Sequence, residues 1–191
     1  MEQQERNVEL LWSTYTTLAG KLPEEHSEIT EMLKEIGERL VLCSSSLDDR
    51  GKGCGPGGFL EITLQITMKM RNLSKALELD IPQQSILKVG LFHAIGQIGD
   101  RTRPYLIEND SEWHRKKGIL YKYNEDLPKS LVPHRSLIML QQFGVKLTPD
   151  EWLAIAISGG PHRDENRFYV GAEPSLGILL AQARQWVFGR E

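Results

Sequence analysis

Apolar residues recur at helical spacing along most of the chain, in stretches separated by short polar breaks, and this pattern predicts a mostly α-helical protein. Val8–Leu22 carries Leu10, Leu11, Tyr15 and Leu18 on one side and is stopped by Gly20 and Pro23. Glu24–Leu42 puts Ile29, Met32, Leu33, Ile36, Leu40 and Val41 on one stripe. Residues 44–58 read SSSLDDRGKGCGPGG, and their glycines and proline predict a loop. Gly58–Leu79 predicts a long helix, broken by Ile81-Pro82. Ser85–Asp100 then has almost no polar face, which predicts a central, buried helix bearing His93 at its inner end. The chain next turns polar. Tyr105–Ile107 and Ile119–Tyr123 predict two short strands with a charged excursion between them, a small β-hairpin insert near 103–124. Leu131–Phe143 is helical and ends at Gly144. Thr148-Pro149-Asp150-Glu151 places a cap, a first-turn proline and a capping-box glutamate in order, starting a helix that runs to Ile157. Pro174–Trp186 predicts the last helix.

Composition narrows the class. At 191 residues the chain suits one compact domain with a real core. A net charge of −3 gives no overall basic field of the kind that holds nucleic acid. No apolar run approaches the roughly 20 residues that cross a bilayer, so no membrane association is expected. The amino terminus, MEQQERNVELL, lacks a charged-then-apolar export pattern, so a cytoplasmic location is the expectation. Cys43 and Cys54 are too few for a disulfide framework and have no His or Cys partners at zinc-finger spacing. The glycine loop lacks GxxxxGK[ST] and reads as a plain loop rather than a phosphate cradle.

Several short strings, taken in order, resemble the HD-domain metal-dependent phosphohydrolases, and among them a branch found largely in phages and bacteria. GGFLEITLQI at 57–66 resembles that branch's GGLLEHSLNV, with Ile62 at the position of the first metal-binding histidine. LFHAIGQ at 91–97 resembles the central LLHDIGK, with His93 kept, Ala94 at the aspartate and Gln97 at the lysine. Trp113, His114, Arg115, Lys117, Gly118, Leu120, Tyr121, Tyr123 and Asn124 are similar to the branch's insert. His134, Arg135, Ser136, Leu137 and Leu140 are similar to its next helix. Ser158 and Gly159 stand where the branch has His-Asp, and PSLGILLAQARQW puts Arg184 at the last metal-binding aspartate. The likeness runs from about Gly57 to Trp186. It implies a single HD-like helical bundle, with 1–56 supplying N-terminal helices and the glycine loop and 57–188 the HD-like core.

The same likeness implies loss of chemistry. Of the four core ligands only His93 remains, and one imidazole cannot hold a hard divalent ion. Arg184 places a permanent cation where the metal's charge would be, but it cannot turn water into a nucleophile. The expectation is therefore a non-catalytic pseudoenzyme with no cofactor and no metal. It would act as a binding or regulatory protein, of phage origin and directed at a host protein. Its partner is a protein, or a phosphate- or nucleotide-like anion. The anion candidates are Arg184 and the His-Arg pairs His114-Arg115, His134-Arg135 and His162-Arg163, since guanidinium forks suit phosphates. The alternative is a phosphohydrolase or nucleotidase with a displaced metal site built from His93, His114, His134 and Asp100 or Asp164. His93 also has a plainer reading, a core histidine whose ring nitrogens find backbone partners. Arg184 needs a counter-charge, for which Glu61 and Asp100 are the motif-linked candidates, or an anion in their place.

Overall fold

The computed structural model describes residues 7–23 and 25–189. Helix α1 (Val8–Ala19) begins at Asn7, whose side chain accepts the Leu10 N–H at 2.9 Å. Helix α2 (His26–Leu42) follows, and its stripe of Ile29, Met32, Ile36 and Leu40 is buried as the periodicity predicts. The glycine-rich loop leads to Gly57, whose φ of 75° lets the chain turn directly into α3 (Gly58–Ala76). Helix α4 (Gln83–Phe92) comes next and is buried on nearly all sides from Ile86 onward. The insert contains β1 (Leu106–Glu108), the short helix α5 (Glu112–Lys116) and β2 (Tyr121–Tyr123). Helices α6 (Val132–Gln142), α7 (Pro149–Ala156) and α8 (Ser175–Phe188) complete the fold. The protein is mostly α, with a small antiparallel hairpin.

Helix α3 is the hub. It packs on α4 and α8, and α1 and α2 lie against it as well. Its Phe59, Leu60, Ile62, Leu64, Ile66 and Met70 are all buried, each such side chain stabilising the fold by about 1.5–3 kcal/mol. Buried hydroxyls on this helix are satisfied within it: Thr67 Oγ1 donates to the Thr63 carbonyl at 2.8 Å. That bond turns Thr67 into a smooth surface against which Gly90 of α4 can lie. A Cβ at Gly90 would stand 2.7 Å from Thr67 Oγ1, so the α3–α4 approach depends on that glycine.

Two expectations, the extent of the central helix and the bounds of the strands, need correction. The central helix does not continue to Asp100; α4 ends at Phe92, and Ile95–Ile98 form a tighter 3₁₀ turn. The Gly96 N–H donates to Ser136 Oγ at 2.9 Å rather than back along the helix. A Cβ at Gly96 would lie 2.5 Å from the Val132 carbonyl, so the glycine is what lets α6 come in and break the helix. The charged excursion in the hairpin is helical: Ser111 Oγ accepts from the His114 N–H and starts α5. The strands pair Leu106 with Tyr123 and Glu108 with Tyr121, one residue further along β1 than the apolar run suggested. Residues 164–169, which carry no helical pattern, form another 3₁₀ turn.

A buried charge cluster locks three elements together. Lys88 of α4 reaches Glu25 at 2.8 Å and Glu151 of α7 at 3.3 Å, and donates to the Lys146 carbonyl at 3.1 Å. Glu151 also accepts the Thr148 N–H at 2.9 Å in the capping box that opens α7. No helix among the described residues is long and apolar enough to cross a membrane.

Candidate functional site

Ile62 lies on α3, the His93–Ala94 pair directly follows α4 and Arg184 lies on α8, and these three helices pack on one another. His93 caps the end of α4 and is 1% exposed. Its Nδ1 lies 3.0 Å from the Gly90 carbonyl. A carbonyl only accepts, so Nδ1 carries the proton and Nε2 keeps its lone pair. Nε2 has no hydrogen-bond partner among the described residues. Burial, and then the positive charge of Arg184, push His93 down to about 3. The ring is therefore neutral at any physiological pH. One nitrogen fits the plain core reading and the other does not.

The glycine-rich loop closes over this region. Ile62 is 6% exposed, and a Cβ at Gly53 of the loop would lie 2.7 Å from its side chain. Gln97 Nε2 reaches the carbonyls of Ser44 and Ser45, each at 3.4 Å, so this side chain anchors the loop. Lys52 ties the loop to the end of α8 by donating to the Val187 carbonyl at 2.5 Å. Ala94 is half-buried and packs against the core. Burial pushes the Cys43 thiol up to about 12, which leaves it inert as a nucleophile.

Two cavities open beside this framework. The first, of about 670 Å³, lies between residues 157–162 and α8, and Ser158, Gly159, His162, Glu173 and Arg184 face it. The second, of about 960 Å³, lies between the hairpin and the start of α6, and His134 and Arg135 face it. The His-Arg pairs therefore do not gather in one cavity. His162 and Arg184 share one cavity, His134 and Arg135 line the other, and His114 and Arg115 line neither. Arg163 packs beside Gly159, where a Cβ would meet its Cγ at 3.5 Å. The separation has a simple cause: His114 belongs to the insert, His134 to α6 and His162 to the segment after α7.

Asp100 and Asp164 are committed locally. Asp100 accepts from the backbone of Thr102 and Arg103 and from the Arg103 guanidinium, and it sits at about 2 despite the opposing effect of burial. Asp164 pairs with Arg167 at 3.1 Å. Among the described residues no three His, Cys, Asp or Glu side chains gather closely enough to hold a metal ion. Sequence patterns gave no warning of Tyr105, Lys129 and Ser130 in the second cavity, which come together only when the hairpin folds onto α6. No family model, curated protein or solved structure matches the chain.

Proposed function

We propose that this is an HD-type helical domain that binds rather than hydrolyses, with a permanent cation in place of a metal. The observation that carries the reading is the neutral, buried His93 under the electrostatic influence of Arg184. In a working site of this kind the histidine would face carboxylates and a metal. Here the flanking helix α3 carries a packed Ile62, and the charge acting on the ring is the Arg184 guanidinium of α8. The cavity in front of Arg184 is the ligand-facing surface. It offers a cation, the Ser158 hydroxyl and the turn at Gly159–Gly160, with exposed Ile178 on its wall. That mixture suits a partner protein's segment carrying an anionic group, and a host protein is the target this reading names.

Restoring the ligands tests the architecture. The combined variant Ile62→His, Ala94→Asp and Arg184→Asp should gain thermal stability with added manganese or nickel, while the wild type gains none. A triple variant that folds by circular dichroism yet ignores both metals would show that these positions do not converge as proposed. Binding is tested separately, by calorimetric titration with phosphate and with nucleoside monophosphates. Wild type should gain stability as ligand rises, and Arg184→Gln should lose that gain. The absence of heat from any of these would leave a purely apolar or backbone-mediated partner contact. A hydrolase built from His93, His114, His134 and Asp100 or Asp164 would need those side chains gathered around a metal, and among the described residues no three His, Cys, Asp or Glu side chains gather closely enough to hold one.

A further inference from the structure

The second cavity holds a group that internal packing does not satisfy. Arg135 stands in the first turn of α6 and is only 6% exposed. Its Nε donates to the Gly96 carbonyl at 2.9 Å and its Nη1 to the Ser130 carbonyl at 2.6 Å. Its Nη2 has no hydrogen-bond partner among the described residues. The guanidinium carbon stands over the Tyr105 ring, 4.0 Å from its centre, and both side chains line the cavity. A buried guanidinium with an unused donor is costly unless something accepts from it.

The rest of the cavity says what that something is. The start of α6 opens onto it: Leu131 is the cap residue, no side chain caps the first turn, and Leu131 itself lines the cavity. Pro133 has no N–H and the Arg135 N–H is taken by the Leu131 carbonyl, so the amides of Val132 and His134, with the positive end of the helix dipole, favour an oxyanion there. Lys129, Ser130 and His134 face the same end, so all the donors come from one short stretch, 129–135. The opposite character lies elsewhere on the lining. Tyr123 is 54% exposed and its ring centre stands 5.0 Å from that of Tyr105, an aromatic wall open to a ligand. Glu125 and Glu165 also face the cavity. They accept hydrogen bonds from a ligand's donors and repel a polyanion.

We propose that this cavity, at the junction of the hairpin and α6, binds a phosphate monoester carried on a flat, donor-bearing ring. The phosphate sits against Arg135, Lys129 and the start of α6. The ring lies on Tyr123, with its donors toward Glu125 and Glu165. The site is independent of the reading of the first cavity and shares no lining residue with it.

Calorimetric titration and thermal shift with inorganic phosphate and with phenyl phosphate, at physiological salt, test the proposal. Both should bind the wild-type protein, phenyl phosphate about three- to tenfold more tightly, the gain that one aromatic contact supplies. Lys129 is exposed, so Lys129→Gln should fold normally and weaken both ligands by about tenfold. Tyr123→Ala should erase the advantage of phenyl phosphate and leave inorganic phosphate unchanged. Arg135 is not used as the diagnostic variant, because its bonds to Gly96 and Ser130 also hold the fold. No response to either ligand up to about 10 mM overturns the proposal, since affinity weaker than that has no binding site behind it. An advantage for phenyl phosphate that survives Tyr123→Ala overturns it too. So does binding that Lys129→Gln leaves intact and Arg184→Gln abolishes, which places the anion in the first cavity.

Discussion

His93 and Gly90 are one turn apart and show what single residues do here. A histidine that folds neutral has a consequence for pH. Its folded value of about 3 lies below the ordinary histidine value, which is about 6.5 in an unfolded chain. Above that ordinary value both states are neutral and the stability from burying the ring is complete. As pH falls below it, the unfolded chain takes up a proton that the folded chain refuses, and stability drops by about 1.4 kcal/mol per pH unit. Urea unfolding at about pH 7.5 and pH 5 should therefore show a loss of about 2 kcal/mol attributable to His93. His93→Gln should lack that part of the loss, and identical pH slopes for the two proteins would contradict a buried neutral ring. Gly90 acts through space instead of charge. Gly90→Ala would press a methyl against Thr67, with its backbone only 3.1 Å away, and should cost about 1–3 kcal/mol in denaturant unfolding despite alanine's better helix propensity.

The individual helices show how much of the fold could be read from residue order. Stripes such as Ile29-Met32-Ile36-Leu40 and the Thr148–Glu151 capping box are local patterns, and both elements form where those patterns lie. The end of α4 is different, because it is set by Gly96 meeting Ser136, forty residues away in the chain. The Lys88 cluster is the sharper case. A lysine inside the apolar string SILKVGLF gives no sign of its partners, Glu25 and Glu151, which lie on other elements. The candidate site divides the same way: Ile62 and Arg184 lie on, and His93 directly follows, helices that pack together, whereas the His-Arg pairs, alike in sequence, go to different places. Burial alone would lower the Lys88 value, but the Glu25 hydrogen bond and the Glu151 and Glu25 charges outweigh it and raise it. Its stability contribution is thus present below the ordinary lysine value and fades as pH rises through the folded one. Lys88→Met would leave two buried carboxylates without their cation and should destabilise by about 3–5 kcal/mol. Adding Glu25→Gln and Glu151→Gln to that variant should recover part of the loss, measured as a rise in melting temperature. No recovery would show that the cost comes from misfit of the methionine and not from charge.

At the scale of the whole molecule, the apolar core and the hairpin are held by different forces. The core cluster draws on α1–α4 and α6–α8, whereas residues 99–138 supply none of its buried members. Helix α5 has no buried residue at all. The insert is held instead by polar bonds and ring contacts: Leu120 and Tyr121 donate to the Leu47 carbonyl, Asp49 donates to Gly118, and Arg135 stacks on Tyr105. Such bonds contribute about 1 kcal/mol each and are open to competition from water. The hairpin and the 44–57 loop should therefore open together, well below the free energy of global unfolding. In native-state hydrogen exchange the amides of 106–108 and 121–123 should exchange through this partial opening, while those of α3 and α4 require global unfolding. Equal protection across hairpin and core would refute the division. Phenyl phosphate connects this opening to the second cavity. Tyr105, Tyr123 and Arg135 all line that cavity, so a ligand there bridges the hairpin to α6 and binds only the closed form. At a hundred times its dissociation constant it should raise hairpin protection by about 2.7 kcal/mol and leave the α3 and α4 amides behind in the ranking of gains until global unfolding itself becomes ligand-linked. A ligand that binds by calorimetry yet leaves hairpin exchange unchanged is bound somewhere other than this junction.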